Sequence, residues 1–346
     1  MNEATVLDEP VEGPAAWTGA QMRVTDEWIH RLSEPEIAEL EAALARVKAQ
    51  EIELPSITRE HFDLPTLSPI IDRWVHDLED GRGFLLVKGL PIDRYSEQDA
   101  STIYWGIGQH MGVPVSQNAA GDLLGNVRDT GRSIADPSVR GYQTRIRLPY
   151  HTDGSDVVGL LCFRPARSGG LSSIVSSTTV FNEVVRRRAD LVDLMYEPFF
   201  YDRREEQSPG EEPWYPSPIA CYVDGKLSIR YIRGFIESAQ RFPEVPRLTE
   251  RQRELLDVID AITMDPEVEL LMDFEPGDMQ FVNNYVILHS RTDYEDFEEP
   301  ERKRHLLRLW LTLREGRRLD PHFGRGMGEF DERGGRGGVR PIVPAG

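Results

Sequence analysis

From Tyr142 onward the sequence breaks into short apolar runs separated by turns, and this texture limits the possible fold more than any other feature. VVGLLCFRP, LSSIVSS, IACYV, KLSIRYI, MQFVNNYVILH and HLLRLWLTL all read as strands, being apolar, short and separated by turn residues. Asp224-Gly225, between two of them, is a hairpin signal because Asp-Gly accepts the positive φ of a type I′ turn. The chain before Tyr142 reads differently. Ser33 can cap a helix from Glu34 to Gln50, with Pro35 in its first turn and Ile37, Leu40, Leu44 and Val47 at helical spacing. A second helix is expected through IIDRWVHDLEDG, stopping at Gly81, followed by a buried strand in GFLLVKGLP. SEQDASTIYWGIGQHMG gives a third, capped by Ser96. Two more helical stretches, TVFNEVVRRRADLVDLMY and LTERQRELLDVIDAITMD, lie within the β-rich half. Many short strands after a helical N-terminal portion predict an α+β chain with a sandwich or jelly-roll core.

A length of 346 residues is compatible with one large domain. Residues 1–20 and the glycine-rich 325–346 read as loose ends around a single domain at 21–324. The polar, proline-rich stretch YDRREEQSPGEEPWYPSPI reads equally as an active-site lid or as a solvated loop. The net charge of −19 argues against a nucleic-acid partner, whose phosphates it would repel. No run approaches the roughly 18 apolar residues of a membrane helix. The acidic N-terminus does not resemble a secretory signal, so cytoplasmic residence is the default. Cys162 and Cys221 each sit in an apolar stretch, outside any CxxC pair, and read as two buried thiols.

The chemistry concentrates in three places. In LPYHTDGSDVVGLL, His151 and Asp153 are two apart, so in extended structure an imidazole and a carboxylate point to the same side. HxD alone is weak, since a strand end with a histidine–aspartate hydrogen bond looks the same. His61 with Asp63 is a rival, but it lies before Pro65 in a loop-like stretch. The second place is EPGDMQFVNNYVILHSR, which brings His289 to the end of a β-type run. Two histidines and a carboxylate make the facial triad of non-haem iron(II), which leaves coordination positions open for co-substrate and oxygen. The third is RKRHLLRLWLTL, where Arg304 and Arg308 are four apart and share a strand face. A guanidinium can grip a carboxylate with two parallel hydrogen bonds, which suits a dicarboxylic co-substrate beside the metal. Trp310, alternating with Leu309 and Leu311, is expected to pack in the core.

HTD, the Gly169–Ser172 segment, PGDMQFVNNYVILHSR, the arginine-rich last strand and GFLLVKGLP together resemble the taurine/2,4-dichlorophenoxyacetate dioxygenase family. These are iron(II)- and 2-oxoglutarate-dependent enzymes of the clavaminate-synthase-like group. The likeness spans about residues 80–315. It implies a double-stranded β-helix (jelly-roll) core with flanking helices, and iron held by His151, Asp153 and His289. It also implies a 2-oxoglutarate anchor at Arg304, supported by the hydroxyl of Ser172 (threonine in many members) or of neighbouring Ser173. Arg308 would reach co-substrate or substrate. Because Asp153 is present, where halogenating relatives have a small residue, hydroxylation is the implied outcome. It would consume O2 and release succinate and CO2. Desaturation or epoxidation would be variations of the same chemistry.

The substrate is less constrained. In some members an asparagine four positions before the first ligand histidine touches substrate, but here that position is Arg147. Arg145 and Arg147 share parity with His151 and could face its cavity, although a solvated Arg145 is the preferred reading. Tyr142, Gln143, Arg230 and Tyr231 lie where the family lines its pocket. With Arg308, the arginines suggest a small carboxylate-bearing molecule, such as an amino acid or natural-product intermediate. Two other classes compete. A metal-dependent β-barrel binding protein would have no need of Arg304, and a zinc hydrolase would need a general base that no HExxH-like signature supplies.

Overall fold

The computed structural model describes residues 6–131, 141–324 and 335–341. It is a mixed α+β fold whose eight core strands divide four and four between two sheets. In chain order these are β1 (Leu124–Val127), β2 (Leu148–His151), β3 (Val157–Arg164), β4 (Ser172–Ser176), β5 (Leu270–Met272), β6 (Met279–Asn283), β7 (Ile287–Arg291) and β8 (His305–Leu313). The larger sheet runs β1-β8-β3-β6 and continues from β6 through Phe84–Lys88 to Ile29–Arg31. Gly112–Pro114 also pairs with β8. The smaller sheet runs β2-β7-β4-β5 and is antiparallel throughout.

Side-chain alternation explains how the sheets pack. In β4, Ile174 joins the cluster between the sheets, while Val175 joins the cluster on the outer face. Ile287 and Leu288 of β7 divide in the same way. In β8, Leu306 and Trp310 point between the sheets, whereas Leu307, Leu309, Leu311 and Leu313 face outward under helices. Both faces of these strands are covered, which is why they read as continuous apolar runs and not as a clean alternation. The outer cover of the larger sheet is α1 (Glu34–Ala49), α2 (Ser68–Glu79) and α3 (Glu97–Met111). The smaller sheet is covered by α4 (Ser177–Arg188) and α5 (Glu250–Thr263), both inserted between β4 and β5.

The helix signals correspond to the observed ends within a residue or two, except that TVFNEVVRRRADLVDLMY is α-helical only to Arg188 and continues as a 3-10 helix over Ala189–Tyr196. Ser33 and Glu36 form a capping box, and Ser96 accepts from the backbone N–H of Asp99. Asp224 and Gly225 both have positive φ (51° and 79°) between the paired strands Ala220–Val223 and Lys226–Ile229. Three expectations are corrected. MQFVNNYVILH is not one strand: it breaks at 284–286, so β6 and β7 belong to different sheets. The N-terminal segment is not loose where described. Trp17 is buried, and the carbonyls of Ala15 and Trp17 accept from Ser176 and Thr179. The C-terminal residues 335–341 also dock: Arg336 is buried against Asp156, and Val339 bonds Ser116. The rest of 325–346 lies outside the described residues. No helix among the described residues is long and apolar enough to cross a membrane, and both cysteines are buried free thiols.

Candidate metal centre

The three metal candidates arrive by different routes. His151 ends β2 and lies directly opposite His289 of β7 in the register of the smaller sheet. Asp153 lies beyond the strand end, in the loop leading to β3. One donor atom from each of the three lies within 4.8 Å of the others, and they are the only such His/Cys/Asp/Glu group among the described residues. His289 Nε2 is 3.7 Å and His151 Nε2 is 3.9 Å from the Asp153 carboxylate. His61 belongs to no such group; its ring accepts from the backbone of Thr58 instead.

Two of the three candidate ligands, His151 and Asp153, are held from behind. His151 Nδ1 lies 2.8 Å from the Pro149 carbonyl, which can only accept, so Nδ1 carries the proton and Nε2 keeps its lone pair for the centre. The backbone N–H of Asp153 donates to Asn284 Oδ1, and Asn284 Nδ2 donates to the Ser155 carbonyl. The break at 284 that separates β6 from β7 therefore also fixes the loop carrying Asp153. Trp310 Nε1 donates to Asp153 Oδ2 at 3.0 Å, and Arg308 stands 3.9 Å from the same oxygen. Trp310 is buried, as expected, but its indole N–H serves the carboxylate. Nothing in a Leu-Trp-Leu alternation signals that, and Asn284 was equally silent.

Burial alone would raise the pKa of Asp153, but Arg308 and the two imidazoles outweigh it and hold the carboxyl below its ordinary value. Burial and the neighbouring imidazole push His289 down to about 3. The result is a carboxylate between two histidines, of which the buried one is neutral at pH 7. This is the donor set that a divalent cation requires.

The triad opens into a cavity of about 550 Å³ between the sheets. Ser172, Arg304 and Arg308 all line it. Arg304 precedes β8, and an irregularity between His305 and Leu306 separates it from the regular ladder. Its backbone N–H donates to Asp296, and its guanidinium lies close to Gly170, where a Cβ would come within 3.1 Å of Nε. Gly169 and Gly170 both take φ of +71°, so the paired glycines provide a turn and room for Arg304. Burial lowers the Arg304 pKa from its usual value. Ser172 bonds Gln280, whereas Ser173 faces the other side of β4, toward Tyr150 and Glu269, and does not line the cavity. Arg308 donates to Gln117 Oε1 and lies over the Tyr142 and Trp310 rings.

The substrate candidates divide. Tyr142, Arg147 and Arg230 line the cavity. Arg147 is exposed at its edge beside Met264, and Arg230 is buried, donating to Tyr215 and stacked near Tyr201 and Tyr215. Gln143 and Tyr231 are not among the lining residues. Tyr231 is core, its hydroxyl donating to Asp260 at 2.6 Å. The parity argument for Arg145 fails because β2 begins only at Leu148 and 141–143 is a 3-10 turn. Arg145 is exposed and pairs with Asp129. The stretch from Tyr201 to Pro218 belongs to the Phe199–Asp202/Trp214–Ser217 hairpin, and Arg203, Arg204 and Glu206, just past its first strand, line the cavity.

The family model described as "Taurine catabolism dioxygenase TauD, TfdA family" matches residues 50–310. The chain belongs to this family. Among curated TauD/TfdA-like proteins it is 33% identical to FR-33289 synthase of Streptomyces rubellomurinus, over 91% of this chain and 94% of that one. It is 28% identical to the taurine hydroxylase-like protein SAT17 of Stachybotrys chartarum, over 85% of this chain and 77% of that protein. Asparagine oxygenase, solved with Fe(II), 2S,3S-3-hydroxyasparagine and succinate, superposes with a TM-score of 0.64 at 18% identity, covering 83% and 94% of the two chains. The non-heme iron oxygenase OrfP, in complex with Fe and alpha-ketoglutaric acid, gives 0.62 at 16%, covering 82% and 93%. At those identities the structural likeness speaks for the fold.

Proposed function

We propose that this chain is an iron(II)- and 2-oxoglutarate-dependent dioxygenase that hydroxylates a carbon of a small carboxylate-bearing molecule, either an amino acid or a natural-product intermediate. The observation that carries the reading is a half-buried His-Asp-His cluster opening into the same cavity as Arg304. A metal-binding protein without catalysis would need the first and not the second. Membership of a dioxygenase family points the same way. Within this reading the eight strands, ordered 1-8-3-6 and 2-7-4-5 in two facing sheets, form a double-stranded β-helix. Residues 21–324 make one domain, with Trp17 and Arg336 of the flanking segments packed against it, and the cytoplasm is its site of action.

The donor set fits iron(II): two imidazole nitrogens and one carboxylate oxygen, all from residues that line the cavity. A buried guanidinium that forms no ion pair among the described residues and leaves Nη1 without a hydrogen-bond partner fits the distal end of 2-oxoglutarate. Iron and 2-oxoglutarate, when bound, supply the oxidising power for C–H hydroxylation, with O2 as oxidant and succinate and CO2 as products. The chain's own part is placement. The Pro149 carbonyl orients His151, Trp310 and Asn284 fix Asp153, and Arg304 with Ser172 holds the co-substrate's distal carboxylate. Arg147, Arg230, Arg203 and Arg204 would receive an anionic substrate against the apolar Ile232 and Phe235. A substrate seated against Ile232 and Phe235 would itself displace water from the reacting carbon.

The test is anaerobic reconstitution with iron(II), recording the weak visible absorption that develops on adding 2-oxoglutarate. Wild-type protein should develop the band. Asp153→Ala should lose it, and Arg304→Ala should need at least tenfold more 2-oxoglutarate, in line with loss of a charge-assisted bidentate contact. Wild-type protein that holds iron but gives no band and no 2-oxoglutarate binding would defeat the proposal.

A further inference from the structure

We propose that Arg291, two residues beyond His289, is a second cation of the co-substrate seat: its guanidinium and that of Arg304 take the distal carboxylate of the 2-oxo acid between them. The inference rests on the reading that the chain uses 2-oxoglutarate. Its basis is geometric. His289 and Arg291 share a face of β7, and Arg291 lies directly opposite Ser172 of β4. Arg291 and Arg304 both line the cavity and are each only 5% exposed. The Tyr294 ring lies by both, with guanidinium carbons 4.8 Å and 5.1 Å from its centroid. In each arginine Nη1 is buried with no hydrogen-bond partner.

The surroundings of Arg291 orient it without neutralising it. Its Nη2 donates to the carbonyls of Thr144 and Ile146, and its Nε to that of Thr292. These neutral acceptors leave the charge uncompensated. Of the acids nearby, Asp129 pairs with Arg145, and Asp296 takes the Arg304 backbone N–H and offsets its charge in part without forming an ion pair with its guanidinium. Two neighbouring buried cations with so little compensation are unfavourable, and an anion between them removes both the repulsion and the two orphaned donors. Arg308, which the sequence offered as the second arginine, is instead held by Gln117 and stands against Asp153. Because Arg291 also grips the carbonyls of residues 144 and 146, it links the seat to the segment bearing Arg147 at the cavity's edge.

The experiment measures anaerobic binding of 2-oxoglutarate and of 2-oxopentanoate, which carries a methyl group where 2-oxoglutarate has its distal carboxylate, to the iron(II)-loaded protein. Wild-type protein should favour 2-oxoglutarate. In Arg291→Gln that preference should fall roughly tenfold to a hundredfold, the loss expected for a charge-assisted contact, with 2-oxopentanoate affinity nearly unchanged. A preference equal to wild type, even alongside lower thermal stability, would make Arg291 a clamp for residues 144–146 only and overturn the inference. Should Arg291→Gln fail to fold, Arg291→Lys decides on the same ratio. Its ammonium lacks the planar fork, so the preference should drop at least threefold, and an unchanged ratio overturns the proposal. Failure of the wild-type protein to bind 2-oxoglutarate would instead remove the proposed function itself, a separate and recognisable outcome.

Discussion

At the scale of single residues, the site depends as much on the groups behind the ligands as on the ligands. Asp153 has two carboxylate oxygens to place and no strand geometry to place them, since β2 has already ended. Trp310 and Asn284 take over that task, one holding a side-chain oxygen and the other the backbone N–H. Partners of this kind typically change metal affinity about 10- to 100-fold when removed. Trp310→Phe keeps the aromatic volume and deletes the N–H. It should weaken iron(II) binding by roughly that factor in an anaerobic metal titration while leaving the unfolding midpoint of the metal-free protein nearly unchanged. Equal metal affinity in the variant would reduce Trp310 to packing.

At the scale of elements, turns decide where the chemistry sits. The Pro276-Gly277-Asp278 turn starts β6, and Gly277 takes φ of +91° with its Cα pressed against the neighbouring backbone. A Cβ there would lie 2.0 Å from the Leu90 carbonyl oxygen, which belongs to backbone and cannot swing aside. Asp278 in turn bonds Lys88, tying the turn to Phe84–Lys88. Gly277→Ala should therefore cost at least the 1–3 kcal/mol typical of a forced backbone conformation, read as a lower urea midpoint with the denaturant slope unchanged. An unchanged midpoint would mean that β6 can shift freely, contrary to its pairing on both edges with Phe84–Lys88 and β3.

At the scale of the whole molecule, the C-terminal residues lock the fold around the cavity. Asp156 is completely buried and takes bonds from Tyr285, the Leu313 backbone and Arg336. Arg336 comes from the docked tail and also donates to the Arg317 carbonyl. Arg317 reaches Glu79 at the end of α2, so one buried polar network joins the helical layer, the larger sheet and the tail. Breaking a buried pair by removing one partner typically costs about 3–5 kcal/mol, because the other charge is left desolvated. Arg336→Met should lower unfolding stability by about that amount in chemical denaturation. A loss below about 1 kcal/mol would place the pair in the class of weak surface bridges.

The sequence alone carried whatever depends on local pattern. Helix ends follow from caps at Ser33 and Ser96, the hairpin from Asp224-Gly225, and the strands from apolar runs, because capping, turn chemistry and period act within a few residues. His151, Asp153, His289 and Arg304 were legible because their residue types, spacing and strand context match a known constellation. Their supporting partners were not. Asn284 looks like any polar residue in a strand, Trp310 like core, and Arg291 like a charge after a ligand, since each depends on a neighbour more than a hundred residues away. Parity offered Arg145 to the cavity, but the preferred solvated reading is the one the structure bears out, because the strand that parity assumes begins only at Leu148. The loose ends were misread for a related reason: glycine-rich and acidic composition describes what a segment can do alone, whereas Trp17 and Arg336 are ordered by surfaces that exist only once the sheets have packed. Long-range burial and charge compensation arise only when the chain has closed on itself, and those are the terms the tertiary structure decided.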